Sequence, residues 1–282
     1  MTSSTQRKIL FLVFVAAAIA MSFGPLNDLV RNGRPSDYYT HIPLIPAISA
    51  YVLFRRRKKL FRGEPGSLLL GLAAMALGFG LFVFDRLHQP GLIGHAELSA
   101  SGAILFLLGS YLALFGKSSF RRALFPFAFL VFVIPLPIAW MDHVVSALVV
   151  GSTGVTHLLF KAFGVPFVQE GSIFYLPAFG LKVAWECSGI RSSLALVITS
   201  VLAGQIFLTR PWKKIVLALA VFPVTIFKNG VRIVTLYLLS YFVDMRIIEG
   251  GFLHKSGGFI FFGLGLVMLG YLLWLLRNPA NS

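Results

Sequence analysis

Four polar side chains in the C-terminal half of the sequence have the types that peptide-bond chemistry needs. Cys187 and Arg191 open one apolar segment, Arg232 lies near the end of the next, and His254 precedes the last. A thiolate can attack a peptide carbonyl and form an acyl-enzyme. A histidine can protonate the leaving amine, and an arginine can hold the developing oxyanion. Cysteine catalysis is therefore one hypothesis for this chain.

Each of these residues also has an ordinary structural interpretation. Cys187 could pack inside a membrane helix, Arg232 could reach lipid phosphate, and His254 could anchor a helix start. The predicted positions of these residues across the bilayer favour the catalytic hypothesis. The rise per residue places Arg232 about 28 Å from Lys213 along their helix, close to one hydrocarbon thickness. Cys187 and His254 lie at helix starts on that same side. The sequence thus predicts all three at one depth, with the Cys187 thiolate favoured by a helix N-terminus.

The segments that carry these residues are apolar enough for a lipid bilayer. The chain of 282 residues is 57% hydrophobic and 12% charged, with a mean hydropathy of +0.84, whereas a soluble domain has about 25% charged residues. A helix needs about 20 apolar residues to span a bilayer. Candidate runs occur at residues 9–24, 38–54, 67–84, 98–116, 122–140, 189–208, 213–233 and 256–276. We predict an all-α integral membrane protein, a single polytopic domain with about eight transmembrane helices.

The basic residues predict how these helices are oriented. The net charge is +15. More than half of the 25 Lys and Arg lie in alternate loops, at residues 7–8, 55–62, 117–122, 210–214 and 277. The positive-inside rule makes that side cytoplasmic, which places both termini inside and Cys187, Arg232 and His254 at the outer face. In a soluble protein such a charge would suggest nucleic acid, but here the charges alternate with apolar runs, and no nucleic-acid partner is expected.

Three parts of the chain are predicted on this basis. Residues 1–140 carry five spans, residues 141–188 form an external or interfacial segment, and residues 189–282 form a catalytic part with three spans. The stretch 144–160 is apolar, but an additional crossing there would turn the basic residues 210–214 outward. We therefore interpret it as a helix or re-entrant hairpin at the outer surface.

A short external β-hairpin is predicted directly before Cys187. Residues 172–176 and 181–185 are β-type runs, and residues 177–180 form a turn between them. No metal or cofactor is expected, because no two histidines have helical i, i+4 spacing with a carboxylate. Cys187 is the only cysteine, so an internal disulfide is impossible, and no serine dyad is evident in the sequence.

Three blocks of the sequence resemble the motifs of exosortases and archaeosortases. Residues 187–192 (Cys-Ser-Gly-Ile-Arg-Ser) resemble the cysteine motif of that family. Residues 229–233 (Asn-Gly-Val-Arg-Ile) are similar to its arginine motif, and His254 with the glycines 257–258 is similar to its histidine motif. The resemblance is specific over about residues 170–258 and only topological before them.

The resemblance implies a membrane cysteine transpeptidase. Cys187 would be the nucleophile, Arg232 the transition-state stabiliser and His254 the acid/base, while Arg191 would have a substrate-binding or structural role. The substrates would be exported, membrane-anchored proteins whose C-terminal tail has a short signature such as Pro-Glu-Pro (PEP-CTERM-like), a transmembrane helix and a basic cluster. The tail would be removed at the outer face of a prokaryotic plasma membrane, and the new C-terminus passed to a lipid or glycan acceptor. We expect no soluble domain after the last span, which leaves the subfamily open.

Other functions are compatible with parts of the pattern. Intramembrane charges often mark transport paths, so a transporter or channel subunit is one alternative, although the chain has no internal repeat and its polar groups gather at one face. A hydrolytic membrane cysteine protease would use the same acyl-enzyme with water as acceptor. A lipid-linked glycan transferase and a structural assembly protein also remain open.

Overall fold

The protein is mostly helical, as the sequence predicts. The computed structural model describes residues 4–32, 39–61, 66–88, 91–177, 179–183, 189–243 and 252–278. Within these ranges the chain forms helices α1 to α11, one 3-10 turn and three short strands. It divides into two compact units, Met1–Ile138 and Ala139–Ser282.

Seven helical stretches among the described residues are long and apolar enough to cross a membrane. They are Ser4–Arg31, Leu68–His88, Gly94–Arg122, Trp140–Ala162, Ile190–Phe207, Pro211–Phe242 and Gly258–Arg277. Two more apolar helical stretches, Leu44–Arg55 and Leu124–Val133, are shorter. The predicted all-α membrane fold is confirmed, and the predicted number of about eight spans is close to this result.

The first unit is built on three long helices, α1 (Ser4–Asn32), α4 (Leu68–His88) and α5 (Leu92–Arg122). Helix α5 packs along both of the others. Glycines allow α4 and α5 to approach closely, since a Cβ on Gly78 would lie 2.5 Å from the backbone nitrogen of Phe106. A Cβ on Gly109 would likewise lie 2.6 Å from the backbone nitrogen of Met75. Such small-residue contacts are how membrane helices pack without a hydrophobic driving force.

A buried carboxylate joins the connected ends of α4 and α5. Asp85 is fully buried, and its Oδ1 accepts a 2.6 Å hydrogen bond from Nδ1 of His95. Its Oδ2 accepts a second, also 2.6 Å, from the hydroxyl of Ser99. A carboxylate is tolerated in an apolar helix only when its oxygens are satisfied in this way.

We expect Asp85→Ala to destabilise the protein by about 2 kcal/mol, because two hydrogen bonds to a charged group are lost and Ser99 keeps a buried, unsatisfied hydroxyl. The midpoint of thermal unfolding in detergent would fall by several degrees. Asp28→Ala is the matched control, since Asp28 is exposed on α1. Equal midpoints for the two variants would show that the buried cluster contributes no stability.

The shorter helices of the first unit are α2 (Leu44–Arg55), α3 (Arg57–Leu60) and α6 (Leu124–Phe129), with a 3-10 turn at Leu130–Val133. Helix α2 packs on α6 and the turn, and the hydroxyl of Ser49 donates to the carbonyl of Pro126 at 2.7 Å. The predicted span at residues 122–140 is interrupted here, because Pro135 and Pro137 cannot continue a helix.

The second unit contains α7 (Ile138–Ala162), α8 (Ile190–Phe207), α9 (Pro211–Leu219), α10 (Val221–Phe242) and α11 (Phe252–Arg277). The apolar stretch 144–160, for which we inferred an interfacial helix or hairpin, is part of one continuous helix, α7, which is also long enough to cross a membrane. The glycines within α7 do not break it, and Gly151 lets α10 pack closely against it. A Cβ on Gly151 would lie 2.5 Å from Cδ1 of Ile226, and one on Gly230 would lie 2.5 Å from Cγ1 of Val155.

The predicted β-hairpin is confirmed, and one further strand precedes it. Strands β1 (Val168–Glu170), β2 (Ile173–Tyr175) and β3 (Gly180–Lys182) form an antiparallel sheet in that order. In this register Phe174 pairs with Gln169 on one side and with Leu181 on the other.

Aromatic contacts hold this sheet against the helices of its unit. Phe174 is fully buried, and its ring meets that of Phe160 on α7 edge-on at 5.6 Å. Phe160 meets Tyr237 on α10 in the same way at 5.3 Å. After β3, the backbone N–H of Val183 donates to the carbonyl of Ser172 at 2.9 Å. The sheet therefore fixes the chain up to Val183, shortly before Cys187.

Candidate functional site

The candidate nucleophile and the candidate acid/base lie at the margin of what the structure describes. Residues 184–188, which include Cys187, are outside the described residues. His254 belongs to the first turn of α11, and its side chain is likewise outside the description. The site is therefore built from the residues that surround them.

The first turn of α8 is held together by a single carbonyl group. Gly189 stands at the N-cap in the left-handed conformation, with φ 72° and ψ 18°. Its carbonyl accepts hydrogen bonds from the hydroxyls of Ser192 and Ser193, both at 2.8 Å, and from the backbone N–H of Ser193 at 2.9 Å. The sequence that follows Cys187 thus builds a tight helix start.

A buried lysine from α10 faces this turn. Lys228 is only 3% exposed, and its Nζ donates to the hydroxyl of Ser192 at 2.6 Å. The next residue, Asn229, donates from Nδ2 to the hydroxyl of Ser152 on α7 at 3.0 Å. A Cβ on Gly189 would lie 3.3 Å from Lys228 Nζ and 3.5 Å from Asn229 Oδ1. The helix that follows Cys187 therefore begins directly beside a buried ammonium group.

Gly189→Ala is expected to lower the stability of the protein by about 1–2 kcal/mol, the cost of a left-handed backbone for a residue with a Cβ. The new methyl group would also press on Lys228. The midpoint of thermal unfolding in detergent measures this effect. Gly154→Ala on α7 is the matched control, since a Cβ there meets nothing within 4 Å, and a similar loss in both variants would contradict the expectation.

Arg232 lies one helical turn beyond Lys228 on the same face of α10, a rise of about 6 Å. Its Nε is buried and has no hydrogen-bond partner among the described residues. A buried N–H without a partner costs free energy. Such a group in a folded protein often belongs to a site that binds another polar group. Arg191, in contrast, is exposed in the first turn of α8.

Helix α11 contacts the same lysine from the other side. A Cβ on Gly265 would lie 3.2 Å from Cδ of Lys228 and 2.9 Å from Cδ1 of Leu196 on α8. The side chain of Lys228 therefore passes between α8 and α11. His254 lies about three helical turns before Gly265, roughly 16 Å along α11. The common depth of Cys187, Arg232 and His254 stays a prediction.

The sequence analysis missed Lys228, although a signal for it was present. The residue stands inside an apolar helix, four positions before Arg232. Because a lysine within a membrane helix is costly, it marks a functional site by default. The contact with Ser192 joins two helices, and no local pattern reveals it.

The sequence matches the family model described as transmembrane exosortase over residues 30–271, most of its length. The chain belongs to the exosortase family. No curated protein and no solved structure matched it. The matched range of the exosortase includes Cys187, Arg191, Arg232 and His254, together with the buried Lys228.

Membership makes this chain a multi-pass transmembrane enzyme of a family that acts in protein sorting. Within the described parts of the exosortase, no group of three or more His, Cys, Asp or Glu side chains could hold a metal ion.

Proposed function

We propose that this exosortase cleaves the C-terminal sorting tail of exported, membrane-anchored proteins through a thioester on Cys187. The observation that supports this most is the buried Lys228, whose Nζ donates to Ser192 in the turn that follows the cysteine, with Arg232 one helical turn further along α10. Two residue steps separate Cys187 from Gly189, so their Cα atoms are at most about 7.6 Å apart. A helix N-terminus and a nearby ammonium group both favour a thiolate.

In the proposed reaction the thiolate of Cys187 attacks the carbonyl carbon of the scissile peptide and forms a C–S bond. The guanidinium group of Arg232 stabilises the oxyanion that develops on the carbonyl oxygen. The C–N bond then breaks, and the amine of the departing tail takes a proton from His254. The second half reverses these roles: an acceptor nucleophile attacks the thioester, gives its proton to His254 and releases the thiolate.

The substrate of this proposal is a tail with a signature, a transmembrane helix and a basic cluster. An acidic residue in the signature, as in Pro-Glu-Pro, complements the cationic groups Lys228 and Arg232 and the exposed Arg191. We assign Arg191 to substrate binding on this basis. A lipid or glycan at the surface is the acceptor, and water in its place would make the enzyme a hydrolytic protease.

We place the site at the outer face of a prokaryotic plasma membrane, with both termini in the cytoplasm. The basic clusters support this topology if α2 and α7 cross the membrane and α6 with its 3-10 turn does not. Residues 55–62, 117–122 and 210–214 then fall on one side, as the positive-inside rule requires. If α6 crossed the membrane as well, residues 210–214 would lie on the side opposite to the other basic clusters.

A second candidate is a Ser–Lys peptidase, because Lys228 Nζ lies 2.6 Å from the hydroxyl of Ser192. Serine–lysine pairs serve as nucleophile and base in some peptidases. Here, however, Ser192 gives its proton to the carbonyl of Gly189 and accepts one from the lysine. Because the lysine donates this hydrogen bond and does not accept it, Lys228 fits a role in positioning Ser192 better than the role of a base.

Two variants separate these roles. We expect Ser192→Ala to keep tail processing within about tenfold of wild type, because only one hydrogen bond to Lys228 is lost. Lys228→Met should reduce the rate by about 10²-fold and shift the pH profile of Cys187 alkylation to higher pH, since the thiolate loses a nearby cation. A lysine with a purely structural role would leave that alkylation profile unchanged. Complete loss of processing in Ser192→Ala at normal expression would favour the serine mechanism.

The proposed function is tested by co-expressing the exosortase with tail-bearing proteins encoded in the same genome. We expect the precursor to be shortened, with the change followed by gel shift and the new C-terminus identified by mass spectrometry. The terminal mass distinguishes transfer, which adds an acceptor, from hydrolysis. Hydroxylamine should release a thioester-linked product from the purified enzyme. If no tail-bearing protein is processed and no thioester forms, the proposal is overturned in favour of a non-enzymatic role.

A further inference from the structure

The first unit contains an apolar cavity that the proposed reaction does not use. Its volume is about 640 Å³, within the range of sites that hold small molecules. Helices α1, α2 and α5 line it, together with the segment of α6 and the 3-10 turn. It has the shape of a groove along α1, because Lys8 and Ser22, which mark the two ends of that lining, lie about 21 Å apart along the helix.

The interior of this groove suits hydrocarbon. Its two hydroxyls already have acceptors, since Ser22 donates to the carbonyl of Ala18 at 3.1 Å and the buried Ser49 donates to the carbonyl of Pro126 at 2.7 Å. Apart from the basic residues at one end, the remaining lining is apolar. Leu12 and Ile19 line the groove and are still 65% and 57% exposed, so the groove opens sideways along α1. Its length of about 21 Å is more than half of a bilayer's hydrocarbon core.

The charges of the groove lie at one end. Lys8 stands near the start of α1, and Arg57 and Lys58 follow the end of α2, so the two helices bring their cations to the same end. All three side chains are exposed. None of the three is ion-paired with a carboxylate of the described residues. An adjoining depression is lined by further cations, namely Arg55, Arg56 and Arg122.

We propose that this groove is a binding site for an anionic phospholipid of the surrounding membrane. One acyl chain lies along α1 between the apolar walls, and the phosphate binds Lys8, Arg57 and Lys58. An anionic phospholipid is the occupant that joins a long apolar chain to a negative group at one end, and basic pockets between membrane helices bind such headgroups. The site belongs to the first unit alone and does not depend on the proposed function of the second.

The headgroup contact is tested with the full-length protein in nanodiscs that contain phosphatidylglycerol and phosphatidylcholine in equal amounts. After extraction into mild detergent, the lipids that remain bound are quantified by mass spectrometry. We expect wild type to retain phosphatidylglycerol over phosphatidylcholine by about tenfold or more. The variant Lys8→Gln/Arg57→Gln/Lys58→Gln should lose this preference. The control Lys117→Gln/Arg121→Gln/Arg210→Gln removes the same charge from exposed residues that do not line the groove, and should keep it.

The acyl-chain contact has its own pair of variants, which change no charge. Ala50 lines the groove and Ala47 does not, and both are exposed on α2. Ala50→Trp should reduce the retained phosphatidylglycerol by about tenfold, because the indole fills the space of the chain, while Ala47→Trp should not. Equal retention in Ala50→Trp and Ala47→Trp would overturn the proposal. So would loss of the preference in both charge variants, which would indicate general surface attraction.

Discussion

Cys187→Ala is expected to abolish tail processing, with a loss of rate of about 10³-fold or more, because removal of a covalent nucleophile leaves only binding and oxyanion stabilisation. The precursor should accumulate at full length in cells that express the variant. Cys187→Ser should be nearly as inactive, since a hydroxyl is far less ionised than a thiol at neutral pH. The measurement is the fraction of precursor that is shortened over time.

The chain provides its own control for this experiment. Cys187 is its only cysteine, so a thiol-selective probe labels that position and no other in the purified protein. We expect rapid labelling of wild type, slower labelling in the presence of a tail peptide, and none in Cys187→Ala. Tail processing by Cys187→Ala at the wild-type rate would exclude the thioester mechanism, whatever the labelling shows.

Arg232→Gln is expected to lower kcat by about 10²- to 10³-fold with little change in KM, which is the usual effect of losing one oxyanion donor. Glutamine keeps an N–H donor and much of the volume but removes the charge. The reason to expect a transition-state effect is that Nε of Arg232 is buried and has no hydrogen-bond partner among the described residues. Steady-state kinetics on a tail peptide would give both constants.

Arg191→Gln is the matched comparison for this prediction. Arg191 is exposed at the start of α8, and in the proposal it contacts the substrate in both ground and transition states. Its loss should therefore raise KM and leave kcat nearly unchanged. If Arg191→Gln lowers kcat and Arg232→Gln raises only KM, the two assignments are reversed.

The long helices were predictable because an apolar run of span length has few alternatives in a bilayer. Without water, the backbone must satisfy its own hydrogen bonds. The run at residues 256–276 accordingly lies within α11, and the run at 67–84 coincides with α4 except for its first residue. Short β-type runs around a turn were equally informative for the sheet, which contains the predicted hairpin and one further strand before it.

How the apolar runs in the middle of the chain form helices was less predictable. Hydropathy does not distinguish a run that packs as a short helix from one that crosses the membrane, and residues 122–140 and 144–160 look alike in this respect. The first run is interrupted at Pro135 and Pro137. The second is part of one continuous helix, α7, in which Gly151 lies against Ile226 of α10. That packing is a tertiary contact, which hydropathy does not reveal.

The candidate site shows the same limit. The motifs around Cys187, Arg232 and His254 are visible in the sequence as types and spacing, and they led to the family. The contact of Lys228 with Ser192 arises because α8 and α10 are neighbours. A buried lysine can be recognised as unusual from the sequence, but its partner cannot, since the two positions are far apart along the chain.

The small sheet and the first turn of α8 also fix the described residues on either side of Cys187. The anchorage of the sheet through Phe174 and the hydrogen bond of Val183 hold one side of residues 184–188, and the turn at Gly189 holds the other. Cys187 is two residues before Gly189, so the two Cα atoms are at most about 7.6 Å apart. Because Lys228 lies beside Gly189, chain connectivity alone gives the thiol a high effective concentration near this cation before any substrate arrives.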